Sequence, residues 1–357
     1  MKVNESRCTY FNVDRNNIFL TCKLTLQRSS FDPFNRVSVN FVDFDGKTEG
    51  AIDGGGPAAE MFRLCLEYFQ SSCLFQGSDT SKTLSYCIEQ VNQKNYFYCS
   101  QIIRMSLLHG FHGPNFLSEV LFNFLCLGID GMDPTMDDLE DGKLKSILQQ
   151  FTLSNDLEEM QNIILEEDMI SISGWSFINI DQKESVIKDV LKFHLAHRVR
   201  PALDQFEDGL KSCGMHSLIA KFPSNMKELF CFVPNTLTFV KLKELFTPCL
   251  SVQGSNSRLI ENLVLVNYYN FLVECEEGDA DVTLRDILIF ATGCIDIPPL
   301  GFRNTPTIEF LHNTSKKYPE ASTCGLILKL PVIHSEYINF KNDMSFGIKN
   351  GAVFGFE

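Results

Sequence analysis

The chain has 357 residues, too many for one compact core and suited to two or three domains. With 44% hydrophobic and 21% charged residues it is an ordinary globular sequence, which excludes a disordered chain. A formal net charge of −14, with no basic cluster denser than the short segment His194 to Arg200, argues against nucleic acid as a partner. The most apolar stretch, Leu259 to Val273, is interrupted by Glu261, Asn262, Asn267 and Asn270, so no membrane span is expected. Met1 to Ser6 lack the apolar core of a signal peptide. The 13 cysteines are odd in number, scattered, and form no C-x-x-C pair. They read as reduced thiols of an intracellular protein, cytoplasmic or nuclear.

Residues 13–30 carry apolar positions at helical spacing and are expected to form a helix ended by Ser29-Ser30 and Asp32-Pro33. Val37, Val39 and Phe41 then alternate with more polar neighbours as a strand. Gly54-Gly55-Gly56-Pro57 follows. Three glycines let the backbone approach other atoms closely, and Pro57 suits the first turn of a helix that Phe62, Cys65, Leu66 and Phe69 continue. A phosphate loop would need a Lys and Ser/Thr after the glycines, and neither is present, so a tight turn is the preferred reading.

Apolar helices are expected over 95–110 and 114–127, separated by His109-Gly110-Phe111-His112-Gly113-Pro114. The pairs His109/His112 and His194/His197 lack neighbouring Cys or carboxylate clusters at ligand spacing and read as packing residues. Asp130 to Asp141 is acidic, with short helices expected over 142–151 and 155–168. Trp175, the only tryptophan, suits either a contact surface or a core. Helices over 181–199, 201–210, 226–232 and 237–246 complete this part. Ser251-Val252-Gln253-Gly254-Ser255-Asn256 is small, polar and aperiodic, and is taken as a linker between domains. Beyond it, 257–275, 282–291 and 334–345 read as helices and Thr307 to Phe310 as a strand.

The stretch Tyr318 to Pro331 has polar, turn-forming residues that lead to Cys324, then the apolar run Leu326 to Leu330, closed by Pro331. That is a loop running into a short buried strand, with a thiol at the junction. Cys324 is therefore a candidate nucleophile, against the alternative of a packed cysteine.

In order, these segments resemble a HECT-type ubiquitin ligase domain over nearly the whole chain. The resemblance rests on Val13 to Asn16, Gly50 to Phe62, Met136 to Asp141 with Leu144 and Leu148, and Gln205-Phe206-Glu207. In the last third it rests on Phe290 to Gly293, Pro299 to Phe302, Thr307 to Glu309, Pro319, Thr323-Cys324, Leu330-Pro331 and Phe354. Departures are Ser322 where the family has His, Gly325 where it has an aromatic, Ala59 where it has Arg, and Ser100-Gln101 where it has Gly-Arg.

The resemblance implies an α+β, bilobal fold. A mainly helical N-lobe with a small sheet would occupy 1–250, with a small subdomain at about 130–215 that docks the conjugating enzyme. A flexible hinge would occupy 251–256, with Gly254 as pivot, and a smaller α/β C-lobe 257–357. It implies that Cys324 takes ubiquitin as a thioester, that Thr323 supports it and that Phe354 docks the C-terminal tail. The implied partners are ubiquitin, a conjugating enzyme and a protein substrate, with no cofactor and no metal. Two other readings remain open: a HECT-like interaction domain without activity, and a cysteine hydrolase using His312 or His334.

Overall fold

The computed structural model describes residues 3–42, 56–140, 142–212, 214–233, 237–298, 301–302, 304–312 and 315–351. Among these the chain is mainly helical with three small sheets, the α+β class expected. It divides into two compact units: one formed by 1–64, 108–112 and 234–357, the other by 65–107 and 113–233.

The first unit opens with β1 (Asn4–Val13), which sequence reading missed. Its last residues alternate, with Thr9, Phe11 and Val13 buried and Tyr10 and Asn12 exposed, the period of a half-buried strand. The helix expected over 13–30 is shorter, α1 (Ile18–Leu26), and buries Ile18, Phe19, Cys22, Thr25 and Leu26 along one stripe. The expected second strand is β2 (Asn35–Phe41), parallel to β1. Then α2 (Gly56–Ser71) begins with Pro57 in its first turn, as expected, and carries the chain into the second unit. The acidic and glycine-rich residues just before it, Gly54 and Gly55 included, lie outside the described residues.

The second unit has a hairpin not anticipated, β3 (Phe75–Ser78) with β4 (Ser81–Leu84), then α3 (Ile88–Asn92), α4 (Asn95–Leu108) and α5 (Glu119–Leu127). Ser118 caps α5 by accepting the Leu121 amide. The acidic region leads into α6 (Lys143–Leu153), α7 (Leu157–Glu166) and α8 (Asp168–Ser171). With α9 (Lys183–Lys192) these build a core of their own around Leu148, Phe151, Met160, Ile164, Val186 and Val190. Trp175 packs on its edge and donates its indole N–H to Asp189, 3.2 Å away. The helix expected to reach 199 opens into a π turn over Phe193–His197, where His194 Nε2 lies 2.6 Å from the Met169 carbonyl. α10 (Arg200–Lys211), with Pro201 in its first turn, buries Leu203, Phe206 and Leu210; α11 (Met215–Lys221) and α12 (Pro223–Phe230) follow.

Back in the first unit, α13 (Phe239–Leu245) leads to β5 (Thr247–Pro248), the edge of a four-stranded sheet. The others are β6 (Thr307–Leu311), β7 (Glu320–Ser322) and β8 (Ile327–Pro331), in the order β5-β6-β8-β7. β6 runs parallel to β5 and β8, and β7 is antiparallel to β8. α14 (Asn256–Glu277), α15 (Leu284–Thr292) and α16 (Tyr337–Gly351) pack on this sheet around Tyr268, Phe271, Ile287, Leu288, Leu328, Leu330, Phe340 and Met344.

The stretch 251–256, expected from sequence to be an inter-domain hinge, forms the loop that leads into α14. Leu242 and Phe246 before it and Val264 and Leu265 after it share the same core. Ser251 is fastened at three points. Its amide and hydroxyl donate to the carboxylate of Glu261, at 2.7 and 2.5 Å, and its carbonyl accepts from Arg258 at 2.8 Å. Ser255 then caps α14. A polar, aperiodic sequence is what a flexible linker and a well-bonded surface loop have in common, and the bonding partners lie beyond the stretch itself. Gly254 has a φ of +87°, so its glycine serves a tight turn.

Candidate active site

Cys324 sits in the turn between β7 and β8. Ser322 pairs with Ile327, so Thr323, Cys324, Gly325 and Leu326 form the whole connection. The reason for a turn here is visible in the burial. β8 is anchored by Leu328, Leu330 and Pro331, while Thr323 and Cys324 are half-buried and Gly325 is exposed. Leu326 closes the turn at φ +56°, a left-handed conformation that costs a non-glycine residue about 1–2 kcal/mol. The Ser322 hydroxyl accepts the Gly325 amide at 3.3 Å. A thiol is thus held at the tip of a short rigid hairpin.

The start of α2 lies against this turn within the same unit. A Cβ placed on Gly56 would overlap the Thr323 hydroxyl and stand 3.0 Å from both the backbone nitrogen and the Sγ of Cys324. The close approach expected of the glycines is therefore realised at Gly56, and its partner is the candidate nucleophile. Further along, the same helix meets the C-cap of α15, where a Cβ on Gly293 would be 3.6 Å from the Ala59 Cβ.

The other thiols provide a contrast. Cys99 is fully buried and burial pushes its pKa well up. Burial raises Cys231 and Cys275 to about 12 and Cys294 to about 11. Such thiols stay protonated near neutral pH and are poor nucleophiles. No disulfide joins the described cysteines, and Cys324 is one of those that solvent reaches.

His312 and His334, the bases a hydrolase would need, have other partners. His312 Nε2 is 2.8 Å from Oε1 of Glu261, and His334 Nε2 is 2.9 Å from the Lys317 carbonyl. Glu261 is 2% exposed. Its burial favours the neutral acid, but the Ser251 hydroxyl and amide and then His312 outweigh that and hold its pKa below the ordinary carboxylate value. This carboxylate holds the loop before α14 and was not singled out from sequence, where it only broke an apolar run. His109 meets the Pro33 carbonyl and stacks on Phe62. Phe354 lies outside the described residues.

The model of the HECT-domain (ubiquitin-transferase) family matches residues 60–357, which include Cys324 and its hairpin. The chain belongs to the HECT family. Its curated relatives include the G2/M phase-specific E3 ubiquitin-protein ligase of Homo sapiens, 29% identical over 342 residues, covering 95% of this chain and 46% of that protein. The namesake protein of Gallus gallus is 29% identical over 349 residues, with 97% and 45% covered. That of Macaca fascicularis is 28% identical over 342 residues, with 95% and 46% covered. The chain thus spans about half the length of the curated relatives it matches. No described helix of this HECT chain is long and apolar enough to cross a membrane.

Proposed function

We propose that this HECT chain is a ubiquitin-protein transferase that works through a thioester on Cys324. The observation that carries this reading is the half-exposed thiol at the tip of the β7–β8 hairpin, within the part of the chain that the family model matches. The Cys324 thiolate attacks the carbonyl that joins the C-terminal glycine of ubiquitin to the thiol of a conjugating enzyme. The carrier thiolate leaves, and one thioester replaces another of similar energy. A substrate lysine amine then attacks the same carbonyl, Cys324 leaves as thiolate, and the amine proton passes to solvent. Because the activated bond arrives ready made, no nucleotide loop is needed.

Thr323 adjoins the nucleophile and is assigned a supporting role, and Phe354 a role in docking the C-terminal tail. The conjugating enzyme is assigned to the small subdomain at about 130–215. Its separate core around Phe151 and Ile164 is what a docking module able to stand apart would need. Reorientation of the thiol between carrier and substrate is part of this reading. Its pivot is assigned to the stretch 251–256, around Gly254. The site of action is assigned to the cytoplasm or nucleus, in keeping with described cysteines that no disulfide joins.

The test is to incubate the protein with ubiquitin, activating enzyme, ATP and a panel of conjugating enzymes. A reductant-sensitive ubiquitin adduct that disappears in Cys324→Ala is expected. An adduct that survives in Cys324→Ala refutes the site. Absence of any adduct favours a non-catalytic interaction domain, and cleavage of ubiquitin chains favours a hydrolase.

A further inference from the structure

Ser322 and Gly325 flank Cys324, and both depart from what the family resemblance led one to expect. The structure joins them. The Ser322 hydroxyl accepts the Gly325 amide across the turn at 3.3 Å. A Cβ on Gly325 would lie 3.2 Å from that same hydroxyl, 3.0 Å from Cδ1 of Ile327 and 3.2 Å from its Cγ1. Contacts of 3.0–3.4 Å are tighter than side chains ordinarily accept, so for a Cβ at 325 the bonded serine hydroxyl and the Ile327 side chain must give by a few tenths of an ångström. Ile327 is the residue that Ser322 pairs with at the end of the hairpin. Next to it, Leu326 holds a left-handed φ of +56° that needs support from its surroundings. One serine hydroxyl therefore satisfies the turn amide, its fit depends on the absence of a side chain at 325, and Cys324 lies between the two residues.

We propose that Ser322 is a positioning residue for Cys324, acting through the Gly325 amide, and that Ser322 and Gly325 work as one coupled pair. The proposal rests on the reading of Cys324 as the ubiquitin acceptor. Losing the bond frees the turn: the thiol samples more orientations, meets a small reagent more often, and meets the thioester carbonyl less often in the reactive geometry. The bond sits at the tip of a hairpin whose strand β8 stays anchored in the core, so the change is confined to the turn.

Two readouts test this. Native protein is treated with iodoacetamide across a pH series, and alkylation of Cys324 is followed by peptide mass spectrometry, with the buried Cys275 and Cys294 as internal controls. Single-turnover discharge of a ubiquitin-charged conjugating enzyme is measured in parallel. Ser322→Ala is expected to raise Cys324 alkylation and lower the maximal transfer rate, each about fivefold, the size of one net hydrogen bond. The concentration of charged enzyme for half-maximal rate should stay unchanged. Ser322→Thr, which keeps the hydroxyl, is expected to restore both. Gly325→Ala should reproduce Ser322→Ala, and the double variant should be no worse than the single ones. Unchanged alkylation in Ser322→Ala, a threonine as defective as alanine, additive effects in the double variant, or labelling of Cys275 and Cys294 would each overturn the proposal. If the wild-type chain accepts no ubiquitin, the transferase reading fails while the alkylation arm still decides the role of Ser322.

Discussion

Replacing Gly56 with alanine isolates the contact between α2 and the candidate nucleophile. The new Cβ would overlap the Thr323 hydroxyl and lie 3.0 Å from the backbone nitrogen and Sγ of Cys324. The hydroxyl can rotate away, but the Cys324 backbone nitrogen belongs to a hairpin anchored by Leu328 and Leu330, both fully buried. Overpacking of this kind costs about 1–3 kcal/mol. Alanine also favours the helix over glycine by up to about 1 kcal/mol, but that gain is the same whether or not α2 touches the turn, so it cancels in the comparison. The contact is therefore weakened by about 1–3 kcal/mol, and a value near 1.4 kcal/mol within that range is about a tenfold shift toward an arrangement in which Cys324 is uncovered. Gly56→Ala should raise the rate of Cys324 carbamidomethylation about tenfold, with Cys275 and Cys294 still protected. Gly56→Cys places a second thiol beside Cys324, and mild oxidation should join the two in a disulfide that blocks ubiquitin loading until reduced. An alanine variant that alkylates at the wild-type rate, together with a cysteine variant that forms no such disulfide, would refute the contact.

The buried carboxylate of Glu261 gives a stability prediction. Glu261→Ala leaves the Ser251 amide and hydroxyl without their acceptor and should cost about 1–3 kcal/mol in urea denaturation. His312→Ala, whose ring is 43% exposed, should cost less than about 1 kcal/mol. Equal losses in the two variants would show that the network is not centred on the carboxylate. Acid should weaken the fold through two histidines. Burial lowers the pKa of His194 against the opposing Met169 carbonyl, and burial lowers that of His112 against the opposing Asp296. Their folded values lie below the unfolded one, so the unfolded chain takes up protons first and stability falls as pH drops from about 6.5 toward the folded values. The urea midpoint should fall over that range, and less steeply in His194→Gln; an identical slope in the variant would remove His194 from the account. Phe206→Ala, at a fully buried ring that meets Phe75 edge to face, should cost about 3–5 kcal/mol, checked by the same denaturation. A loss below 1 kcal/mol would mean that the site collapses around the smaller side chain.

The sequence by itself determined most of the local structure. Period-two alternation marked β2 and β6, helical spacing marked α4, α14 and α15, and the turn residues before an apolar run placed Cys324 at the start of a strand. The order of weak motifs carried the family resemblance, which the match over residues 60–357 then established. β1 was within reach of the same method: the alternation of Thr9, Phe11 and Val13 is there to be read, but the helix expected from residue 13 takes only its last position, and residues 4–12 carry no expected element.

What only the tertiary structure decided concerns residues whose meaning depends on distant partners. Ser251 to Asn256 has linker chemistry, and only the fold shows that Glu261 and Arg258 fasten its first residue and that Leu242 and Val264 on either side share one core. Gly56 reads as a turn residue until Cys324 is found against it, 268 positions along the chain. Ser322 and Gly325 look like two independent losses in one dimension and form a single bonded pair in three. Local periodicity follows from each residue's own backbone geometry and so is written in the sequence. Close approach, capture of a polar group and sharing of a core arise between elements, and they become legible only when the fold brings those elements together.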